Sequence, residues 1–136
     1  QTVSIRSEVD SATPHRLIQM LLDGAVSKIS IARGCIERND IAGKCENIDW
    51  AIAIVGGLRG SLDLERGGVI ATNLDSLYEY MSRQLAIANV QSSSELLDEV
   101  VELLNSIRDG WAGIEPPPSN KAADADGASP RSLMAS

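Results

Sequence analysis

Leu97, Val100, Leu104, Ile107, Trp111 and Ile114 follow one another at steps of three, four, three, four and three residues. On a helix of about 3.6 residues per turn that spacing returns to a single face, so the segment is predicted to be an amphipathic helix with one side committed to a core. Three consecutive prolines, Pro116 to Pro118, end it, because each lacks an amide donor and restricts the residue before it. Ser92-Ser93-Ser94-Glu95 offers a start in the form of a capping box, with the Ser92 hydroxyl on the Glu95 amide and the Glu95 carboxylate reaching back.

The same period recurs three times upstream. Leu17, Leu21, Ala25, Ile29, Ala32 and Ile36 mark a first helix, entered through Thr13-Pro14, where Thr caps the free amides and Pro loses no hydrogen bond. Glu37-Arg38-Asn39-Asp40 interrupts it, and Asn39 or Asp40 is the expected cap of the next helix. The second stripe is Ile41, Cys45, Ile48, Ile52, Val55 and Leu62, with Leu58 filling the step near Arg59. Leu64 to Gly68 reads as the next break, since the Gly67-Gly68 pair weakens any helix through it and is expected to act as a hinge. Ile70, Leu74, Leu77, Met81, Leu85 and Ala88 form the third stripe. Four amphipathic helices, short connections and no strand pattern predict an all-α fold, an antiparallel up-down four-helix bundle. The expected division is an extended N-terminal arm over residues 1–12, the bundle over 13–115 and a disordered tail over 116–136.

Chemistry has little to stand on in this chain. A di-metal bundle needs Glu-x-x-His on two helices, and the single histidine, His15, is expected to be a surface residue rather than a ligand. No nucleophile elbow or phosphate-cradling loop can be assembled, and Gly67-Gly68 lacks the lysine and hydroxyl of a P-loop. The expectation is a protein with no catalytic residues, metal or cofactor. Cys35 and Cys45 lack metal-ligand spacing and are read as reduced thiols, the alternative being a disulfide across a helical hairpin. A net charge of −7 without a Lys or Arg block argues against nucleic acid. No apolar run approaches the roughly 18 residues of a membrane span, and no secretory signal is present, so a soluble, cytoplasmic protein is expected.

Apolar surface exceeds what a corner helix of a bundle needs. Ile18, Leu22 and Val26 form a second stripe beside Leu17, Leu21 and Ala25, to be covered by Val3, Ile5 and Val9 of the arm, by a partner's helix, or by both in turn. Gly56, Gly57 and Gly60 interrupt an otherwise helical pattern, each at a cost of about 1 kcal/mol against Ala. They serve either tight packing inside the bundle or, with Ile54 and Leu58, the floor of a groove for a ligand helix. The same surface also fits a self-associating bundle, a homodimer with exchanged arms.

Ala12-Thr13-Pro14-His15-Arg16-Leu17-Ile18-Gln19-Met20-Leu21 and Asp23-Gly24-Ala25 resemble the opening of the flagellin export chaperone family, FliS. Ser61-Leu62-Asp63, Gly67-Gly68, Ile70-Ala71-Thr72-Asn73-Leu74, Leu77-Tyr78-Glu79-Tyr80-Met81 and Ala88-Asn89 are similar to that family's pattern in the same order, and Glu99-Val100 and Trp111 continue it. The chain departs from the pattern at Val69, where the family commonly has Glu, and at Leu22, where it has an aromatic. The resemblance implies a chaperone that binds the disordered C-terminal segment of flagellin, prevents premature polymerisation and delivers it to the flagellar type III export apparatus. On this reading Ile18, Leu22 and Val26 form a partner-binding groove with Ile54, Gly57 and Leu58, extended by Tyr78 and Met81 and capped by Val3, Ile5 and Val9. It also implies docking on the export gate through an arm tyrosine that the family usually carries just before the point where this sequence starts.

Overall fold

The computed structural model describes residues 13–114, and the expectations for the arm and the tail lie outside the described residues. Four α-helices make up the described chain: α1 (Pro14–Glu37), α2 (Ile41–Gly60), α3 (Leu64–Gln91) and α4 (Ser94–Gly113). α1 packs on α2 and α4, and α3 packs on the same two helices, so the four close into a ring. Each turn between them is two or three residues long, which leaves consecutive helices no option but to run antiparallel. The fold is the predicted up-down bundle.

Side chains satisfy the helix ends as the sequence demands. The Thr13 hydroxyl accepts from the Arg16 amide ahead of Pro14, and the Asp40 carboxylate accepts from the Gly43 amide. Between them Asn39 takes a left-handed φ of 60°, a conformation Asn tolerates better than most residues, which turns the chain sharply.

Two boundaries differ from expectation. The cap of α4 is Ser93, whose hydroxyl accepts from the Leu96 amide, not Ser92 with Glu95. Ser92 instead ends α3 with a left-handed φ of 52°, and the following turn leaves no room for it to start a second helix. Likewise, Leu64 to Gly67 forms a helical turn and not a simple break, because the Asp63 carboxylate accepts from the Arg66 amide and caps it. The interruption falls on Gly68 alone, at φ 58° and ψ −136° inside α3.

The core is aliphatic. Leu22, Ala25 and Ile29 of α1, Ile48, Val55 and Leu58 of α2, Tyr78, Met81 and Leu85 of α3, and Leu97, Val100 and Leu104 of α4 share one buried cluster. The predicted stripes of α1 and α4 enter this cluster nearly as read. The stripes of α2 and α3 enter it as well except at their starts: Ile41 and Ile70 are exposed, while Lys44 and Tyr78 are buried. Lys44, at 5% exposure, donates to the Asn89 carbonyl and to the Ser92 hydroxyl, both at 2.8 Å. The buried ammonium thereby satisfies the C-terminal end of α3, where free carbonyls favour a cation.

Candidate functional site

The start of α1 and the end of α4 are locked together by a reciprocal contact. His15 and Trp111 stack with ring centroids 5.0 Å apart and planes 13° from parallel. The indole Nε1 donates to the His15 carbonyl at 3.0 Å, and His15 Nε2 donates to the Trp111 carbonyl at 3.1 Å. This corrects the expectation of a surface histidine: His15 is only 7% exposed, because its ring covers the indole and its nitrogen meets the Trp111 carbonyl at the end of α4, which also accepts from the Ile114 amide. Both polar tips are satisfied, so the pair is structural.

Beside this clasp opens a small apolar cleft of about 30 Å³, lined by Ile18, Ser61, Leu62, Leu74, Tyr78, Ile107 and Trp111. Three helices, α1, α3 and α4, and the α2–α3 turn supply these residues. The Tyr78 phenol sits on the cleft wall, and burial pushes its pKa up to about 12. Of the residues expected to form a groove, Ile18 and Tyr78 meet here. Leu22, Leu58 and Met81 lie wholly inside the core cluster, within the bundle rather than on its surface. Val26 and Ile54 are half-buried at its margin, and Gly57 is exposed. Val3, Ile5 and Val9 lie outside the described residues.

A second surface follows the outer side of α1 and α2. The Ile54 side chain reaches across to α1 at Gly24, where a Cβ would stand in ordinary contact, 3.5 Å from Ile54 Cδ1. Further along, Trp50 is 53% exposed, with the Lys28 ammonium 5.0 Å above its ring, and Ile31 is exposed nearby on α1. Gly56, Gly57 and Gly60 face open space: a Cβ at any of the three would meet nothing within 4 Å. Tight packing inside the bundle is therefore not their role, because no helix of the bundle lies on that side.

Charged side chains tie the seams. Arg33 of α1 meets Asp98 of α4 at 2.7 Å, and Arg108 of α4 meets Asp23 of α1 at 3.1 Å. Arg59 meets Asp75 at 2.6 Å across α2 and α3, a hydrogen bond that holds the Asp75 carboxyl below its usual range. Tyr80 donates to Glu99 at 2.6 Å and Gln84 donates to the same carboxylate, joining α3 to α4. The hydrogen bond to Glu99 holds the Tyr80 proton and raises its pKa. Such exposed pairs contribute little each, about 0–1 kcal/mol, and define register more than stability. Among the described residues no group of His, Cys, Asp or Glu is arranged to hold a metal ion, Cys35 and Cys45 are free thiols, and no helix is long and apolar enough to cross a membrane.

The cleft residues Leu62, Leu74, Ile107 and Trp111 were legible as helix-stripe residues but not as neighbours. Leu62, Ile107 and Trp111 come late in their stripes and Leu74 early in its own, and antiparallel packing brings these positions to one end of the bundle. Lys44 was missed as a core residue although it stands four residues before Ile48, on the same helical face.

Comparison with known proteins agrees with this architecture. The sequence model of the family described as flagellar protein FliS matches residues 1–118. The flagellar secretion chaperone FliSB of Pseudomonas aeruginosa is 51% identical over 114 residues, covering 84% of this chain and 90% of the relative. The flagellar secretion chaperone FliS of Salmonella typhimurium is 46% identical over 115 residues, covering 84% and 85%. The corresponding protein of Vibrio cholerae is 36% identical over 121 residues, 89% of each chain. A family match over most of the sequence, and relatives this similar over nearly their full length, make the four-helix chain a member of the FliS flagellar protein family.

Proposed function

We propose that the protein is a cytoplasmic, non-enzymatic flagellar export chaperone. It binds the disordered C-terminal segment of flagellin, keeps it from polymerising and hands it to the flagellar type III export apparatus, with the export gate as second partner. The observation that carries the binding step is the outer side of α2. Gly56, Gly57 and Gly60 leave it without side chains to hinder a close approach, and Ile54 and Trp50 flank it with apolar surface. A helix interior that keeps glycines at about 1 kcal/mol each, with nothing in the bundle packed on them, is explained by an external helix that needs the space.

In this reading the groove runs along α1 and α2 past Ile18, Val26, Ile54 and Gly57. Leu22 and Leu58 lie in the core cluster with Tyr78 and Met81. Val3, Ile5 and Val9 of the arm cover the groove until cargo replaces them. Ordering a disordered segment reduces net affinity, which suits a chaperone that must release what it carries.

Calorimetry with a flagellin C-terminal peptide tests the proposal. One-to-one binding with a negative heat-capacity change is expected, because apolar area is buried. Gly57→Phe is expected to keep the fold and abolish binding. A flat titration of the unaltered protein at micromolar concentrations, or a concentration-independent dimer that ignores the peptide, would overturn it.

A further inference from the structure

Trp50, Ala53, Gly57 and Gly60 follow one another on α2 at steps of three, four and three, and all four are exposed. That spacing puts them on one side of the helix, a lane of small residues that ends against an indole. From Trp50 to Gly60 the lane is about 15 Å long, enough for about three turns of a helix laid along it. Nothing in the bundle fills its glycine end, where a Cβ at Gly57 or Gly60 would meet nothing within 4 Å.

The indole end carries a charge that the fold does not neutralise. The Lys28 ammonium of α1 stands 5.0 Å from the centre of the Trp50 ring, which is itself 53% exposed. Among the described residues no Asp or Glu pairs with Lys28, whereas Arg33, Arg59, Arg66, Arg83 and Arg108 each meet a carboxylate. A chain of net charge −7 does not lack acids to supply one. Glu46 and Asp49 stand four residues and one residue before Trp50, both exposed, and neither reaches the ammonium. Ile31, three residues after Lys28 on α1, adds a second exposed apolar side chain at this end. A cation held over a ring, with exposed apolar surface beside it, is the arrangement that receives a carboxylate flanked by an apolar residue.

We infer, on the reading that a cargo helix lies along α2, that this helix carries an Asp or Glu side chain that pairs with Lys28 beside an apolar residue that packs on Trp50 and Ile31. A bulky apolar residue about two turns away along it sits over Gly57, which is seven residues from Trp50. The division of labour follows from the chemistry of each end. Glycines admit a helix at any axial position, while the ammonium and the indole fix one. Glu46 and Asp49 on the same helix repel a carboxylate placed elsewhere, so Lys28 and Trp50 set the register of the cargo.

Calorimetry on the full chain tests it, with a flagellin C-terminal peptide amidated so that side chains are its only carboxylates. Lys28→Gln is expected to weaken binding about fivefold at low salt, Lys28→Arg to restore it and Lys28→Glu to weaken it further. Added salt is expected to weaken binding by the unaltered protein and to affect Lys28→Gln less. Trp50→Ala is expected to weaken binding about thirtyfold, with the helical circular dichroism signal of every variant unchanged. Binding by the unaltered protein that Lys28→Gln and Trp50→Ala leave within about twofold would overturn this inference and leave the chaperone reading standing. Equal losses in Lys28→Gln and Lys28→Arg would overturn the carboxylate assignment. A flat titration of the unaltered protein would remove the chaperone reading itself, and this inference with it.

Discussion

At Lys44 and Tyr78, as at His15, burial and polarity meet, and the first two each make a separate forecast. Removing the Lys44 ammonium leaves the Asn89 carbonyl and the Ser92 hydroxyl without their shared donor in a buried place. Lys44→Met is expected to cost about 1–3 kcal/mol in urea unfolding, since a stranded buried acceptor carries its full desolvation penalty. The Tyr78 phenol ionises near 10 in an unfolded chain, whereas in the fold burial pushes it up to about 12. Between those values the unfolded chain has released a proton that the folded chain still holds, so stability falls as pH rises from about 10 to about 12 and is unaffected below. Tyr78→Phe removes the titrating group. The slope of unfolding free energy against pH in that window, measured by chemical denaturation, is expected to flatten by on the order of 2 kcal/mol in total.

Helix ends and helix faces carry different information at the scale of the element. Ser93 and not Ser92 supplies the hydroxyl that meets the first free amides of α4. Ser93→Ala is accordingly expected to lower the melting temperature, by about 1 kcal/mol in free-energy terms. On α2 the exposed glycines predict the reverse sign. Gly57→Ala places a methyl in open space within a helix interior and is expected to stabilise by about 0.5–1 kcal/mol in thermal unfolding. A glycine kept against that gain points to a requirement outside the bundle.

For the whole molecule, the ring of four helices concentrates its apolar mass in one cluster, with Leu22 at the centre of α1's contribution and fully buried. Leu22→Ala is expected to cost about 2–5 kcal/mol, because the surrounding helices cannot collapse onto the lost methyls. Leu22→Asp and Leu58→Asp are expected to abolish the helical far-UV circular dichroism signal outright, since each would bury a carboxylate without a partner. The second α1 stripe thus has two functions: Leu22 builds the core, while Ile18 and Val26 remain at its margin. The surplus recognised in the sequence is therefore confined to the marginal residues, Ile18 and Val26.

Four helices, their order and their antiparallel arrangement follow from local information, namely the three-and-four spacing, the Thr13, Asp40 and Asp63 oxygens at helix starts, and connections too short for any other path. Helical period is a property of single segments, so it can be read without neighbours. How far each helix is rotated about its own axis is not such a property. That rotation put Lys44 inside and Ile41 outside, drew His15 under Trp111, and turned Gly56, Gly57 and Gly60 to solvent. It is decided by how four faces interlock at once, and a buried ammonium or imidazole is tolerated only because another helix presents a carbonyl at the right place.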